Sequence, residues 1–323
     1  MLGVGVIGAG VMGAEHARIL REETGGARLV AVSDPDESRS NAAAKGAKIF
    51  TDAHSLINDP EVAAVVIAAP DIAHAELTIA CIAAGKPVLC EKPLAPTASE
   101  ALTVVQAELT AGRHLVTTGY MRRFDPAYLQ MRNALDSGEI GDAAILHNIH
   151  RNKSAPDWFT GPMSITNSFV HEIDISRFLL RGEMVSAHVT PAPGGDPLLI
   201  TMQSTDGVIV STEVHVNAGY GYHVHAQLVG RSGTIEMAAP TEVLTNRAGQ
   251  GGYGYPDDWV PRFADAYRRQ MQAWVGSCAS EQVVGASAWD GYIATLIAEI
   301  IVEALQEREA KELNLPARPA FYD

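Results

Sequence analysis

From residue 2 to about residue 118, short uninterrupted apolar runs alternate with stretches of helical spacing. Leu2–Ile7, Arg28–Ser33, Ala64–Ala68, Pro87–Cys90 and His114–Thr118 read as strands with helices between them. Apolar runs without polar alternation are buried on both faces, as in a parallel sheet covered by helices on each side. The helix Ile72–Ala84 is punctuated at both ends, by Pro70-Asp71 before it and by Gly85 and Pro87 after it. This half reads as doubly wound.

Beyond Gly119 strands begin to follow strands: Ala143–His150, Ser186–Thr190, Leu198–Ser204, Val208–Val216, Tyr222–Gly230 and Thr234–Met237, interrupted by a helix near Ser168–Leu180. Asp206-Gly207 and Ser232-Gly233 read as hairpin turns, so the sheet is expected to be mostly antiparallel with helices on one face. Tyr222, Val224, Ala226 and Leu228 alternate with His223, His225, Gln227 and Val229. A sheet covered on one face only often hides the other in a subunit contact, which predicts an oligomer. Pro191–Pro197 and the glycine-rich Gly249–Gly254 read as loops, and helices near Trp259–Ser277 and Ala286–Glu307 close the chain.

The length of 323 residues favours two domains. A content of 47% hydrophobic and 19% charged residues excludes a disordered chain. The net charge of −14 argues against nucleic-acid and anionic-membrane partners, which need clustered Lys and Arg. Cys81, Cys90 and Cys278 have neither CxxC nor Cys/His metal spacing, so they read as buried thiols of a cytoplasmic protein without a metal site. The apolar start is interrupted by Glu15-His16 and does not read as a signal peptide. No run approaches the roughly 18 uncharged residues of a membrane span.

Gly8-Ala-Gly10-Val11-Met12-Gly13 follows the first strand directly and opens a helix. In that context the glycines permit a tight turn, close approach of a pyrophosphate and close helix–strand packing, with the helix N-terminus facing the phosphates. Asp34, at the end of the second strand, stands where an acidic residue about 20 residues on would bind a ribose diol. Its charge would repel a 2′-phosphate, so NAD is expected over NADP, while Arg39 reads as a solvated charge.

Glu91-Lys92-Pro93 sets a lysine at the carboxyl edge of the parallel sheet, where ligands of such folds bind. Farther on, Asn167-Ser-Phe-Val-His171-Glu-Ile-Asp174 opens an amphipathic helix, with positions 167 and 171 one turn apart. The set Gly8-x-Gly10-x-x-Gly13, Pro70 with His74, Glu91-Lys92-Pro93 and His171-Glu-Ile-Asp174 resembles the glucose-fructose oxidoreductase and inositol dehydrogenase (Gfo/Idh/MocA) family over nearly the whole chain. Gly119-Tyr-Met-Arg122-Arg-Phe-Asp125-Pro and His150-Arg-Asn152-Lys are similar to its inositol 2-dehydrogenase branch in particular.

The resemblance implies a Rossmann NAD-binding domain over residues 1–118. It implies an α+β domain with a mostly antiparallel open sheet over 119–323, for substrate binding and assembly as a homotetramer. It assigns Gly8, Gly10, Val11, Met12, Gly13, Asp34, Pro70, His74, Glu91 and Lys92 to the cofactor, with His74 open also to a structural role. Lys92 and His171 would act on the oxidised hydroxyl. Arg122, His150, Asn152, Asn167, His171 and Tyr220 would line a polyol pocket, with Tyr222 the rival to Tyr220.

The inositol dehydrogenases it resembles have an aspartate where this chain has Asn167, and Asn167 would share the catalytic position beside His171 or serve as a helix N-cap. The activity implied is oxidation of a cyclitol secondary hydroxyl, myo-inositol or a close relative, to a ketone with NAD, in class EC 1.1.1.-. The alternatives are the same chemistry on another sugar or aminocyclitol, and a non-catalytic NAD-binding regulator.

Overall fold

The computed structural model describes residues 1–238, 243–280 and 282–323, and the chain divides into two compact units. The first holds Met1–Phe124, Asp265–Leu296 and Ala317–Asp323; the second holds Asp125–Ala264 and Ile297–Pro316.

In the first unit β1 (Leu2–Ile7), α1 (Val11–Glu22), β2 (Ala27–Ser33), α2 (Glu37–Ala44), β3 (Lys48–Phe50), α3 (Ala53–Asn58), β4 (Ala64–Ile67), α4 (His74–Ala83), β5 (Val88–Glu91), α5 (Ala98–Ala111) and β6 (Val116–Gly119) alternate as the apolar pattern predicts. The strands lie in the order β3-β2-β1-β4-β5-β6, all parallel, so the sheet reverses direction of growth between β1 and β4. Val4, Val6, Val65, Val66, Ile67, Val88, Leu89 and Cys90 are fully buried, which explains why these strands carry no polar alternation. Each large apolar side chain among them contributes about 1.5–3 kcal/mol of transfer free energy. A strand outside the sequence expectation, Ala286–Ser287, adds antiparallel to β6 as an edge.

In the second unit α6 (Pro126–Asp136) and β7 (Ala143–Arg151) lead through a π-helical turn (Ser164–Phe169) into α7 (Val170–Leu180). Then follow β8 (Met184–Pro191), β9 (Leu198–Ser204), β10 (Ile209–His215), β11 (His223–Gly230) and β12 (Thr234–Glu236). With the later strand Lys311–Glu312 they form, among the described residues, a sheet in the order β12-β11-β7-β10-β9-β8 and then Lys311–Glu312, antiparallel except for β7 beside β10. Its inner face is Leu146, Asn148, His150, Val210, Thr212, Val214, Val224, Ala226 and Leu228, all buried. The other face keeps Leu199 and Ile209 about half exposed. Gly249–Gly254, read as a loop, instead holds the strand Gln250–Tyr253, paired with Leu244–Arg247 across Ala248-Gly249. Both residues of that turn have positive φ, which a two-residue hairpin turn requires and which glycine adopts at no steric cost.

Candidate functional site

In the first unit the glycine-rich turn is built by exclusion. Gly8 has φ +87° and a Cβ there would lie 2.4 Å from the Ala68 carbonyl oxygen, while a Cβ at Gly13 would lie 1.8 Å from the Gly8 oxygen. Those two glycines let β1, β4 and α1 touch. Gly10 differs: nothing lies within 4 Å of its would-be Cβ, so the space above it is open. No side chain caps the N-terminus of α1, and Val11 there is 69% exposed beside a half-buried Met12. Open backbone over uncapped N–H groups is a cradle that fits a pyrophosphate.

Asp34 stands directly after β2, buried, with its position fixed by two backbone donors. Ala9 N–H donates to Oδ2 at 2.7 Å and Asp36 N–H to Oδ1 at 2.8 Å. A carboxylate oxygen accepts more than one hydrogen bond, so both oxygens keep capacity for a diol. The glycine turn and the acidic residue are thus one hydrogen-bonded assembly.

Lys92, half-buried, follows β5 directly. Glu91 before it is buried, its Oε1 2.7 Å from Nε2 of the fully buried His16 of α1, and its Oε2 accepts the Lys92 N–H at 3.3 Å. Pro70 is exposed ahead of a 3-10 turn, Asp71–Ala73, that runs into α4. His74, the first residue of α4, points both ring nitrogens at carbonyl oxygens, Nδ1 at Pro93 (2.7 Å) and Nε2 at Ala69 (2.8 Å). Burial works against charge on that ring. The neighbouring Cys90 sulfur and the two carbonyls outweigh it and raise the pKa to about 9. Arg122 is buried in a second 3-10 turn, Met121–Phe124.

In the second unit strand alternation turns His150 to the inner face of β7, against α7. Its Nδ1 lies 2.9 Å from Oε2 of Glu172, a fully buried residue that the sequence reading passed over. A carboxylate only accepts, so Nδ1 carries the proton and a neutral His150 presents Nε2 as an acceptor. The His171 ring, buried, is 6.4 Å from that of His150, and Tyr222 packs edge-on to His150 at 5.9 Å. Asp174 is buried on the same helix. Asn152, just past β7, has its backbone bonded to His215 and Ala218, while its side-chain Oδ1 is buried without a protein partner. A buried amide oxygen without a partner is one that a ligand hydroxyl would satisfy.

Two expectations need correction. Asn167 is not an N-cap: the helical path already begins at Ser164, and Asn167 lies inside the π-helical turn, half-buried, its Oδ1 accepting the Thr166 hydroxyl at 2.8 Å. Such π turns recur at functional sites, and nothing in the apolar spacing signals this one. Nor do Tyr220 and Tyr222, the two rivals for the pocket, share a strand face, since both precede β11. Gly219 and Gly221 take positive φ, β11 starts at His223, and Tyr220 is 46% exposed. Its hydroxyl accepts from Arg151 at 2.9 Å and lies 2.7 Å from Nδ1 of His223. The structure therefore brings His150, His171, Glu172 and Tyr222 together and sets Tyr220 with Arg151 on the outer face of the sheet.

The chain is similar to known proteins along its full length. Residues 2–120 match the profile of the GFO/IDH/MocA oxidoreductase family with NAD-binding Rossmann fold, and residues 128–236 match the GFO/IDH/MocA C-terminal domain. Inositol 2-dehydrogenase 2 of Saccharopolyspora erythraea is 45% identical over 99% of this chain and 98% of its own. An inositol 2-dehydrogenase of Klebsiella pneumoniae subsp. pneumoniae is 39% identical over 99% of each. The crystal structure of myo-inositol dehydrogenase from Lactobacillus casei in complex with NAD(H) and myo-inositol superposes with a TM-score of 0.95 at 31% identity, covering 100% of both chains.

Proposed function

This chain belongs to the GFO/IDH/MocA oxidoreductase family, and from that membership we propose that it oxidises a secondary hydroxyl of a cyclitol, myo-inositol or a near relative, to the ketone with NAD. The observation that carries the reading is the first-unit assembly of open Gly10, uncapped α1 and backbone-fixed Asp34, with Lys92 at the end of β5. NAD, when bound, supplies the hydride acceptor. Gly8, Gly10, Val11, Met12 and Gly13 hold its pyrophosphate, Asp34 its adenosine ribose, and Pro70 and Glu91 border its site.

Lys92 would donate to the substrate hydroxyl and polarise it, and His171 would accept its proton. Asn167 adjusts His171. Arg122, His150 and Asn152 take the remaining hydroxyls, and the buried Glu172 keeps His150 in one tautomer. Tyr222, packed on His150, fits this polyol set better than Tyr220. Residues 1–118 carry the cofactor function and 119–323 the substrate and assembly functions. The half-exposed outer face of the second-unit sheet supports a homotetramer, and the free thiols of Cys81, Cys90 and Cys278 support a cytoplasmic location.

NADH formation with a panel of cyclitols, aminocyclitols and sugars tests the reading. Turnover greatest on myo-inositol or a stereoisomer is the expected result, and turnover greatest on a linear or amino sugar moves the substrate class. NAD binding without turnover on any of them would make the protein a regulator instead.

A further inference from the structure

The residues on either side of Lys92 are each held by a histidine from a different helix. We propose that His16 and His74 are positioning residues that clamp the chain around Lys92, and that His74 does so as a buried imidazolium. The proposal rests on the reading of Lys92 as the group that acts on the substrate hydroxyl.

A lysine side chain is long and flexible, so the precision of its Nζ depends on how firmly its backbone is fixed. On one side, the Glu91 carboxylate is tied to His16 Nε2 at 2.7 Å and to the Lys92 N–H at 3.3 Å. His16 is fully buried and packs edge-on against Tyr267, with ring centroids 5.8 Å apart. On the other side, the Pro93 carbonyl is 2.7 Å from His74 Nδ1, and Nε2 of the same ring is 2.8 Å from the Ala69 carbonyl.

Carbonyl oxygens only accept. A neutral imidazole has one N–H, so at one of these two contacts it would set a nitrogen lone pair against an oxygen lone pair. The doubly protonated ring satisfies both. The titratable groups near the ring are Cys90 of β5 and, beyond it on α4, Cys81, whose thiol burial pushes up to about 12. The Cys90 sulfur, by its charge and a hydrogen bond to the ring, favours the protonated form as the two carbonyls do.

Both clamps lead to the glycine-rich turn. His16 lies on α1 less than one turn beyond Gly13. Ala69 lies against the Gly8 turn, where a Gly8 Cβ would stand 2.6 Å from its nitrogen. The histidines thus fix the lysine's strand end to the cofactor turn without standing in the open space over Gly10. Their loss should move Lys92 and slow the chemical step while leaving dinucleotide affinity nearly unchanged. A direct cofactor contact would do the opposite.

The test has two arms on the full-length protein. In the first, ¹⁵N-histidine NMR of the wild type at neutral pH is expected to show both His74 ring nitrogens protonated, with one losing its proton near pH 9. The resonance is assigned by its absence in His74→Asn. A single-proton tautomer at neutral pH would overturn the imidazolium.

In the second arm, His74→Asn keeps a donor near the Nδ1 position toward Pro93, His74→Gln keeps one near Nε2 toward Ala69, and His74→Leu keeps neither. kcat should fall in the order Asn, Gln, Leu, reaching roughly tenfold or more for Leu. His16→Leu should lower it comparably, with partial rescue by His16→Gln. NADH affinity by fluorescence should stay within about twofold throughout. Unchanged kcat in His74→Leu, or NADH affinity falling as far as kcat, would overturn the clamp. If the leucine variants do not fold, the wild-type NMR arm and the Asn-against-Gln order decide. Turnover retained in Lys92→Ala would instead remove the role of Lys92 and leave the NMR result standing.

Discussion

His150 Nδ1 and Glu172 Oε2 lie 2.9 Å apart, and neither side chain reaches solvent appreciably. The pair joins β7 to α7 where the His150 and His171 rings lie 6.4 Å apart. Glu172→Gln keeps the shape but offers either an amide oxygen or an amide N–H to the ring, so His150 no longer holds a single tautomer. The expected outcome is a kcat/KM for the polyol lower by about tenfold, roughly 1.4 kcal/mol, with KM carrying most of it. Glu172→Ala leaves the buried His150 donor without its acceptor and should cost about 1–3 kcal/mol of stability in chemical denaturation. Wild-type kinetics in Glu172→Gln would mean that the pair is only part of the packing.

Asp34 should set cofactor choice. Its oxygens are already aligned by Ala9 and Asp36, so a ribose diol meets a fixed carboxylate, and a 2′-phosphate meets fixed negative charge. NAD is expected to exceed NADP in kcat/KM by roughly a hundredfold, about 2.7 kcal/mol. Asp34→Ala should shrink that ratio and also raise the KM for NAD, because the Ala9 N–H loses its acceptor and the glycine turn loosens. Equal use of both cofactors by the wild type would mean that Asp34 does not reach the ribose.

The parallel strands were legible because burial on both faces leaves an unbroken apolar run, as in Ala64–Ile67 and the Val88–Cys90 part of β5. The strands that escaped, Lys48–Phe50, Ala286–Ser287 and Lys311–Glu312, are edge strands of two or three residues. Backbone pairing specifies them, and so short a segment carries no period. Leu244–Arg247 and Gln250–Tyr253 escaped because every residue in both is exposed, and in the second two glycines also suppress the strand signal. At the candidate site the motif residues Gly8, Asp34, Lys92 and His171 were readable from local context. His16 and Glu172 were not, since their partners lie 75 and 22 residues away and no spacing rule connects them. The π-helical turn at Ser164–Phe169 is invisible for a related reason, since it changes the winding of a helix without changing which residues are apolar.

Assembly can be tested on the outer face of the second-unit sheet. Ile209 and Leu199 are 46% and 47% exposed there, and Ile209 stands in register with Ile145 of β7. Apolar strand positions left this open are expected to be covered by another copy. Light scattering at micromolar concentration should give a tetramer, and Ile209→Lys with Leu199→Lys should reduce its size without changing the far-UV spectrum. A wild-type monomer would remove the inference, and a tetramer unmoved by both substitutions would move the contact elsewhere.

Asn167 is where the chain departs from the aspartate that the family resemblance leads one to expect, and its surroundings say how the departure can be measured. It sits within the π-helical turn four residues before His171, and its Oδ1 accepts the Thr166 hydroxyl at 2.8 Å. Asn167→Asp is isosteric, and a carboxylate oxygen accepts the same bond. Helix capping is not at stake either, because the helical path begins at Ser164. Neither the Thr166 bond nor the helix start is therefore lost in the variant. A carboxylate beside His171 would stabilise the imidazolium and favour the tautomer whose other nitrogen accepts the substrate proton, whereas the neutral amide does neither strongly. If His171 is the proton acceptor, Asn167→Asp should raise kcat/KM on myo-inositol by about tenfold or more, roughly 1.4 kcal/mol or above. The acid limb of the pH–rate profile should move to higher pH, because a base that must be neutral to act would hold its proton longer. Lys92→Ala should abolish turnover in both backgrounds. A variant whose rate rises while the profile stays fixed would assign residue 167 to substrate fit instead. One with neither change would leave it no part in the proton's path.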